Sequence, residues 1–284
     1  RHENQYIVFE ITTPFTCLQK ERSLLMKLAC ITGASSGIGK EFAYLLAELE
    51  YDLILVGRNT DALHEIADNV AVRCKCITCD LSDEKSCVKL GRKLRQYPLD
   101  IMINNAGFGE LGEFSETKLK NDINMINVNI KAVHILTKAV LPGFIRRDRG
   151  YIMNVASSAG LLPGGPYMST YYATKAFVLS FSEALSKELK DDGVTVTVIC
   201  PGTTATNFFD VANASSDKTN LLKKMHPASP VAVAKYGYQK AMKNKVIAIY
   251  GAKNRTAIFF NRFISRRLSR SIVYKIQSER KESN

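Results

Sequence analysis

Residues 28–40 read LACITGASSGIGK: an apolar run, three glycines among small residues, and the opening of a longer pattern, IGKEFAYLLAELE, with apolar positions at helical spacing. The apolar run is short enough for a strand, and the segment Thr32 to Gly39 interrupts it with residues suited to a tight turn. Strand, glycine turn and helix in that order begin a crossover unit whose helix N-terminus presents backbone N–H groups to an anion. Gly33, Ser35, Ser36, Gly37, Ile38 and Gly39 are therefore candidate phosphate-binding residues.

Six further short apolar runs follow: DLILVG (52–57), RCKCITCD (73–80), LDIMINNAG (99–107), YIMNVAS (151–157), VTVTVICPG (194–202) and KVIAIYG (245–251). Helical patterns such as ATKAFVLSFSEALSKELKDDG separate them. Seven strands alternating with helices, several of them almost continuously apolar, predict a doubly wound α/β fold built on a seven-stranded parallel sheet covered on both faces. In such a sheet the ligand sits beyond the carboxyl ends of the strands. We expect one domain over 26–252, with residues 1–25 as an extension outside it and Met26 as a candidate natural start. A long irregular segment spans 204–228, and Ser229-Pro230 reads as an N-cap followed by a first-turn proline.

The composition is that of an ordinary soluble globular chain: 284 residues, 46% hydrophobic, 23% charged, with mean hydropathy −0.08. No run of 18 apolar residues occurs and the first 23 residues lack a signal-like apolar region, so the expectation is a cytoplasmic protein. Cys74, Cys76, Cys79 and Cys87 invite a metal reading, but no paired CxxC follows and two of them alternate with charged residues as on a strand. No metal is expected, and the seven cysteines fit reduced thiols. Of the net charge of +12, residues 253–284 contribute +7 through nine Lys/Arg against two Glu. Arg262, Arg266 and Arg270 recur at one interval while Phe260, Ile264, Leu268 and Ile272 form a second stripe, predicting a basic amphipathic helix. Packing on the domain or a sister subunit is the first expectation for it, and weak membrane-surface contact the second. No nucleic-acid recognition motif accompanies the charge.

Two readings compete for the glycine segment. Gly33-Ala34-Ser35-Ser36-Gly37 matches the GxSxG elbow of serine hydrolases, with Ser35 as nucleophile and His64, His134 or His226 as its base. That elbow belongs after several strands, whereas here it follows the first. The dinucleotide reading finds support at the end of the second strand. A carboxylate there would bind the ribose of NAD and an arginine the 2′-phosphate of NADP, and LVGRN supplies Arg58. NADP(H) is the expected cofactor.

The segment STYYATK (169–175) decides the chemistry. Residues four apart share a helix face, so Tyr171, not Tyr172, neighbours Lys175. A phenol ionises too high to exchange protons at neutral pH, and an adjacent ammonium lowers that value, making a general acid or base of tyrosine.

Together TGASSGIG, NNAG (104–107), the helix around Asn129, the serines after YIMNVAS, YATK and PGTTAT (201–206) resemble the short-chain dehydrogenase/reductase family over about residues 27–251. The resemblance implies Tyr171 as the proton donor to a substrate carbonyl, Lys175 as its pKa partner and ribose ligand, and Asn129 as the anchor of a relay water. A serine would hydrogen-bond the carbonyl. Counting along the strand selects Ser157 and counting back from the tyrosine selects Ser158. An insertion at Gly164 or Gly165 reconciles the two, and Ser157 is preferred. The resemblance further assigns Asp80 and Leu81 to adenine, Asn105, Ala106 and Gly107 to the cofactor wall, and Pro201, Gly202, Thr204 and Thr206 to its far end. It also implies a homodimer or homotetramer through the helices carrying LTKAVLPGF and ATKAFVLSF. The loops 108–114, 161–169 and 207–213 are rich in Phe, Leu, Met and Tyr, suiting an apolar ketone/alcohol such as a steroid, fatty-acyl or xenobiotic carbonyl. A catalytically silent nucleotide-binding protein remains the alternative of a different class, and it predicts a damaged Tyr/Lys pair.

Overall fold

The computed structural model describes residues 27–205 and 227–278. Seven strands are formed: β1 Lys27–Thr32, β2 Tyr51–Gly57, β3 Cys74–Thr78, β4 Ile101–Asn104, β5 Gly150–Val155, β6 Val194–Cys200 and β7 Ile247–Ile249. All pair in parallel in one sheet of order β3-β2-β1-β4-β5-β6-β7. Each overlaps a run read as a strand from the sequence. The order reverses between β1 and β4, which opens a crevice at their carboxyl ends.

Continuous apolar runs are needed because successive strand residues point to opposite, equally buried faces. Ala29 and Ile31 of β1, Leu53 and Leu55 of β2, and Ile101 and Ile103 of β4 enter one core. Their neighbours Cys30, Ile54, Val56 and Met102 enter the other. Helices α1 (Gly37–Glu48), through Phe42 and Leu46, and α2 (Thr60–Asp68), through Leu63 and Ile66, close the first face. Helix α3 (Glu84–Leu94) helps close the second with Leu90 and Leu94. α2 begins where Asn59 Oδ1 accepts the N–H of Ala62 (3.1 Å), and α3 where Asp83 accepts that of Ser86 (2.8 Å).

α4 (Leu119–Ile126) runs through a π-helical turn at Asn127–Ala132 into α5 (Val133–Arg146). By length and composition this rod could cross a membrane, yet Leu136, Val140 and Phe144 pack with Met102 and Ile152 in the second core. α6 (Ser169–Glu188) carries the Tyr/Lys segment, and α7 (Pro230–Ala241) starts with Ser229 at its N-cap position and Pro230 in the first turn. The Ser229 hydroxyl makes no capping bond, so the proline and the buried Val233 and Ala234 fix that start.

The expected single helix of the basic tail is two helices, α8 (Ala252–Asn261) and α9 (Arg266–Ser278). The break has a local cause: Ser265 Oγ accepts the N–H of Leu268 (3.2 Å) and opens a new helix. Ser269, Val273 and Gln277, four residues apart, form its buried stripe.

Candidate functional site

The chain turns sharply after β1. Gly33 adopts φ +64°, and a Cβ there would lie 2.8 Å from the Ala106 Cα. At Gly39 a Cβ would meet the Gly33 carbonyl oxygen at 2.2 Å, so α1 presses directly on the turn. Thr32 Oγ1 accepts the N–H groups of Asn105 (3.0 Å) and Ala106 (3.1 Å). The Asn105 amide returns hydrogen bonds to the carbonyls of Thr32 (3.0 Å) and Gly33 (3.1 Å). Asn105 thus braces the glycine turn as well as lining the crevice. Ser36 sits extended at the N-cap of α1 without capping it, and the first turn holds no carboxylate. Neither the cap nor the first turn thus neutralises the positive helix end, which suits a phosphate.

A cleft of about 560 Å³ opens over the carboxyl ends of the strands. Gly33, Ser35, Ser36, Gly37 and Ile38 floor one end. Arg58, exposed at the end of β2, together with Asp80 and Leu81 after β3, makes the adjoining wall. Asp80 Oδ1 is held by the N–H (2.9 Å) and hydroxyl (2.8 Å) of Ser82. Asn105, Ala106 and Gly107 line the middle, and Pro201, Gly202 and Thr204 the opposite wall. Gly39 lies behind this surface, and Thr206 and the 207–213 loop fall outside the described residues.

The deep end holds Ser157, Ser158, Tyr171 and Lys175. Tyr171 and Lys175 share the buried face of α6, as the four-residue spacing demands, with the Lys175 nitrogen 5.7 Å from the phenol ring centre. Ser157, two residues past the end of β5 and at the N-cap of a 3-10 turn (Ser158–Leu161), hydrogen-bonds the Tyr171 side chain, while its Oγ also accepts the N–H of Ala159 (3.1 Å). Ser158 lines the cleft beside it, its N–H bound to the Pro201 carbonyl (2.8 Å).

The electrostatics depart from the expectation. Burial pushes the Tyr171 phenol up to about 12, opposed by the Ser157 hydrogen bond. The same burial brings the Lys175 ammonium down to about 8. Lys175 Nζ donates to the Val155 carbonyl at 3.0 Å and lies 5.7 Å from the centre of the phenol ring. For both groups desolvation by burial is the largest cause of the shift.

Asn129 lies behind the cleft on the π-helical turn, 1% exposed. Its Oδ1 accepts the N–H of Phe108 (3.1 Å), and its Nδ2 donates to the Phe108 carbonyl (2.9 Å) and Thr174 Oγ1 (3.0 Å). A Cβ on Gly107 would fall 3.0 Å from Asn129 Oδ1 and 3.1 Å from Lys175 Nζ, so that glycine keeps open the space both groups border. Asn127 instead donates to the Ser82 carbonyl (3.0 Å), tying the same turn to the loop after β3.

Four contributors escaped the sequence reading. Thr174, inside YATK, accepts from Asn129 and donates to the Tyr171 carbonyl (2.8 Å). Tyr172, Ile276 and Gln277 line the outer end of the cleft, with Gln277 Nε2 donating to the Tyr172 hydroxyl (3.1 Å). The threonine was visible as part of a motif, but nothing local marks a glutamine 105 residues away as its neighbour. Among the described residues no histidine lines the cleft. His134 packs against Phe181 and His64 sits on α2, while His226 lies outside the described residues. Ser35 therefore has no base beside it there.

A sequence model of the family described as short chain dehydrogenase matches residues 27–217. A very-long-chain 3-oxoacyl-CoA reductase of Rattus norvegicus is 32% identical over 202 residues, covering 67% of this chain and 63% of that protein. The chain thus matches less than two thirds of that reductase. Dehydrogenase/reductase SDR family member 7B of the same species is 30% identical over 288 positions, covering 95% and 88%. Among solved structures, a short-chain dehydrogenase from Sphingobium yanoikuyae in complex with NADPH superposes with TM-score 0.74 at 28% identity, covering 84% of this chain and 94% of that one. A bulky-bulky ketone specific alcohol dehydrogenase from Comamonas testosteroni gives 0.70 at 27% identity, covering 84% and 92%.

Proposed function

Because the chain belongs to the short-chain dehydrogenase/reductase family, we propose that it is an NADP(H)-dependent oxidoreductase acting on an apolar ketone/alcohol pair. One observation carries this reading. A phenol hydrogen-bonded by Ser157 and one helical turn from Lys175 sits at the deep end of a cleft whose far end is an uncapped helix N-terminus beside Arg58.

NADP(H), when bound in the cleft, would supply or accept the hydride. The glycine turn and the first N–H groups of α1 would hold its diphosphate, Arg58 the 2′-phosphate, and Asp80 and Leu81 would flank the adenine. Tyr171 gives a proton to the carbonyl oxygen during reduction, and Ser157 hydrogen-bonds that oxygen. Lys175 binds the ribose hydroxyls and stabilises the phenolate left behind. Asn129 fixes Phe108 and Thr174 and, with Lys175, borders the space beside Gly107 that would take a relay water. Phe108, Met168, Tyr172 and Ile276 make the substrate end apolar, which suits a fatty-acyl or steroid-like carbonyl. The named acyl-CoA and bulky-ketone relatives support that class. Exposed Ile145 on α5 and Phe177 on α6 support a homodimer through these helices.

The test is NADPH oxidation against a panel of long-chain, steroidal and small ketones, run beside Tyr171→Phe. The variant keeps NADPH affinity and loses turnover by roughly 10²–10⁴-fold. Unchanged turnover removes Tyr171 from the mechanism.

A further inference from the structure

The two C-terminal helices carry a surface that catalysis does not use. On α8 and the turn after it, Phe259, Phe260 and Phe263 are 53%, 61% and 72% exposed. Their rings pack on one another, with centroids 5.6 Å (259–260) and 5.4 Å (259–263) apart, instead of into the domain. Only Ile258 of this helix is buried. On α9, Leu268, Ile272 and Ile276 repeat every fourth residue beside the buried Ser269–Val273–Gln277 stripe, and are 50%, 44% and 55% exposed. A hydrogen bond from the Ser269 hydroxyl to Asn261 Oδ1 (2.6 Å) fastens the two helices together. Burying one face of α9 would not need this second stripe, and a chain in water gains nothing by exposing three phenylalanines.

Charge selects the partner. Residues 252–278 contain seven lysines and arginines and no acidic residue. Apolar rings and aliphatic stripes on a segment of net positive charge fit the boundary of an anionic bilayer, where side chains enter the acyl region and cations meet headgroup phosphates. A second copy of this chain would bring the same positive charge to the same contact and repel it. Ile276 belongs both to the exposed stripe and to the wall of the catalytic cleft. The surface therefore adjoins the substrate entrance.

We propose that α8 and α9 form a docking face for an anionic phospholipid bilayer, with Phe259, Phe260, Phe263 and the Leu268–Ile272–Ile276 stripe inserted, and the mouth of the cleft turned to the lipid. The surface stands on its own observations, and only the passage of an apolar substrate from lipid to cleft rests on the function proposed above.

The chain contains no tryptophan, so Phe263→Trp installs a single reporter at the most exposed ring. Its emission shifts to the blue on adding phosphatidylcholine vesicles containing phosphatidylserine, less so with phosphatidylcholine alone, and the shift weakens as salt rises. In sedimentation the full chain follows the phosphatidylserine vesicles. The Phe259→Ser/Phe260→Ser/Phe263→Ser variant loses on the order of tenfold in partitioning, and Leu268→Ser/Ile272→Ser loses as well. Each keeps NADPH affinity and the circular dichroism of the parent. No sedimentation, or equal sedimentation by parent and variants, overturns the proposal. So does a parent that ignores vesicles and is dimeric where the triple variant is monomeric, because the face would then be a subunit contact. Vesicle binding needs no turnover, so its failure is separable from a failure of the ketone panel.

Discussion

Lys175 directs its ammonium to the Val155 carbonyl at 3.0 Å while lying 5.7 Å from the centre of the Tyr171 ring. Among the described residues no salt bridge holds this cation, and its folded pKa falls from 10.5 to about 8 through burial. Below about pH 8 the lysine is charged both folded and unfolded, and the folded state bears the desolvation. Between about 8 and 10.5 it is neutral when folded and still charged when unfolded, so stability rises with pH across that window. Tyr171 has the opposite sign but a later window: its phenol stays protonated to about 12 against 10 unfolded, so its contribution is lost only above pH 10. Melting temperatures by circular dichroism from pH 7.5 to 10, a range set by these shifts, should rise in the parent relative to Lys175→Met. Parallel curves would show that Lys175 is not desolvated.

The two candidate serines make different predictions. Ser157 hydrogen-bonds the Tyr171 side chain and Ser158 contributes its backbone N–H to Pro201. Ser157→Ala should lower kcat/KM for ketone reduction by about 10²-fold, the size of one lost oxyanion donor, and Ser158→Ala by far less. NADPH affinity measured by fluorescence should be unchanged in both. A larger loss in Ser158→Ala would reverse the assignment.

Much of this was legible in the chain because its signals are local. Seven apolar runs gave seven strands, since central strands covered on both faces are buried almost throughout, while the edge strand β3 exposes Lys75 and Thr78. The Tyr171/Lys175 pairing followed from helical geometry alone. The sign of the tyrosine shift was not legible, because desolvation depends on how many distant groups close over a side chain. The broken basic helix turned on a single serine, Ser265, whose capping bond competes with helix continuation only once α9 has somewhere to bury Val273. Gln277 reached the cleft through tertiary packing that no spacing encodes.

Arg58 is exposed at the end of β2, beside the serines of the glycine turn. A guanidinium matches a phosphate monoester in charge and hydrogen-bond geometry, and a carboxylate in its place would repel that group while accepting from ribose hydroxyls. Arg58→Asp should lower the NADPH/NADH ratio of kcat/KM by about 10²-fold, mostly through KM for NADPH. An unchanged ratio removes Arg58 from the 2′-phosphate site.

Thr174 joins the two halves of the catalytic constellation. Its hydroxyl donates to the Tyr171 carbonyl at 2.8 Å and accepts from Asn129 Nδ2 at 3.0 Å, in a position 1% exposed. Thr174→Val keeps the shape and leaves an amide hydrogen of Asn129 buried without this acceptor, a cost of about 1–3 kcal/mol. The melting temperature should fall by about 2–4 °C for each kcal/mol lost. Because Asn129 also clamps both backbone groups of Phe108, its release loosens the substrate wall, so KM for ketone should rise along with a fall in kcat. Thr174→Ser retains the hydroxyl and should restore both kinetic constants while recovering most of the stability. If serine rescues stability but not kinetics, the hydroxyl is a packing element and Asn129 is positioned by other contacts.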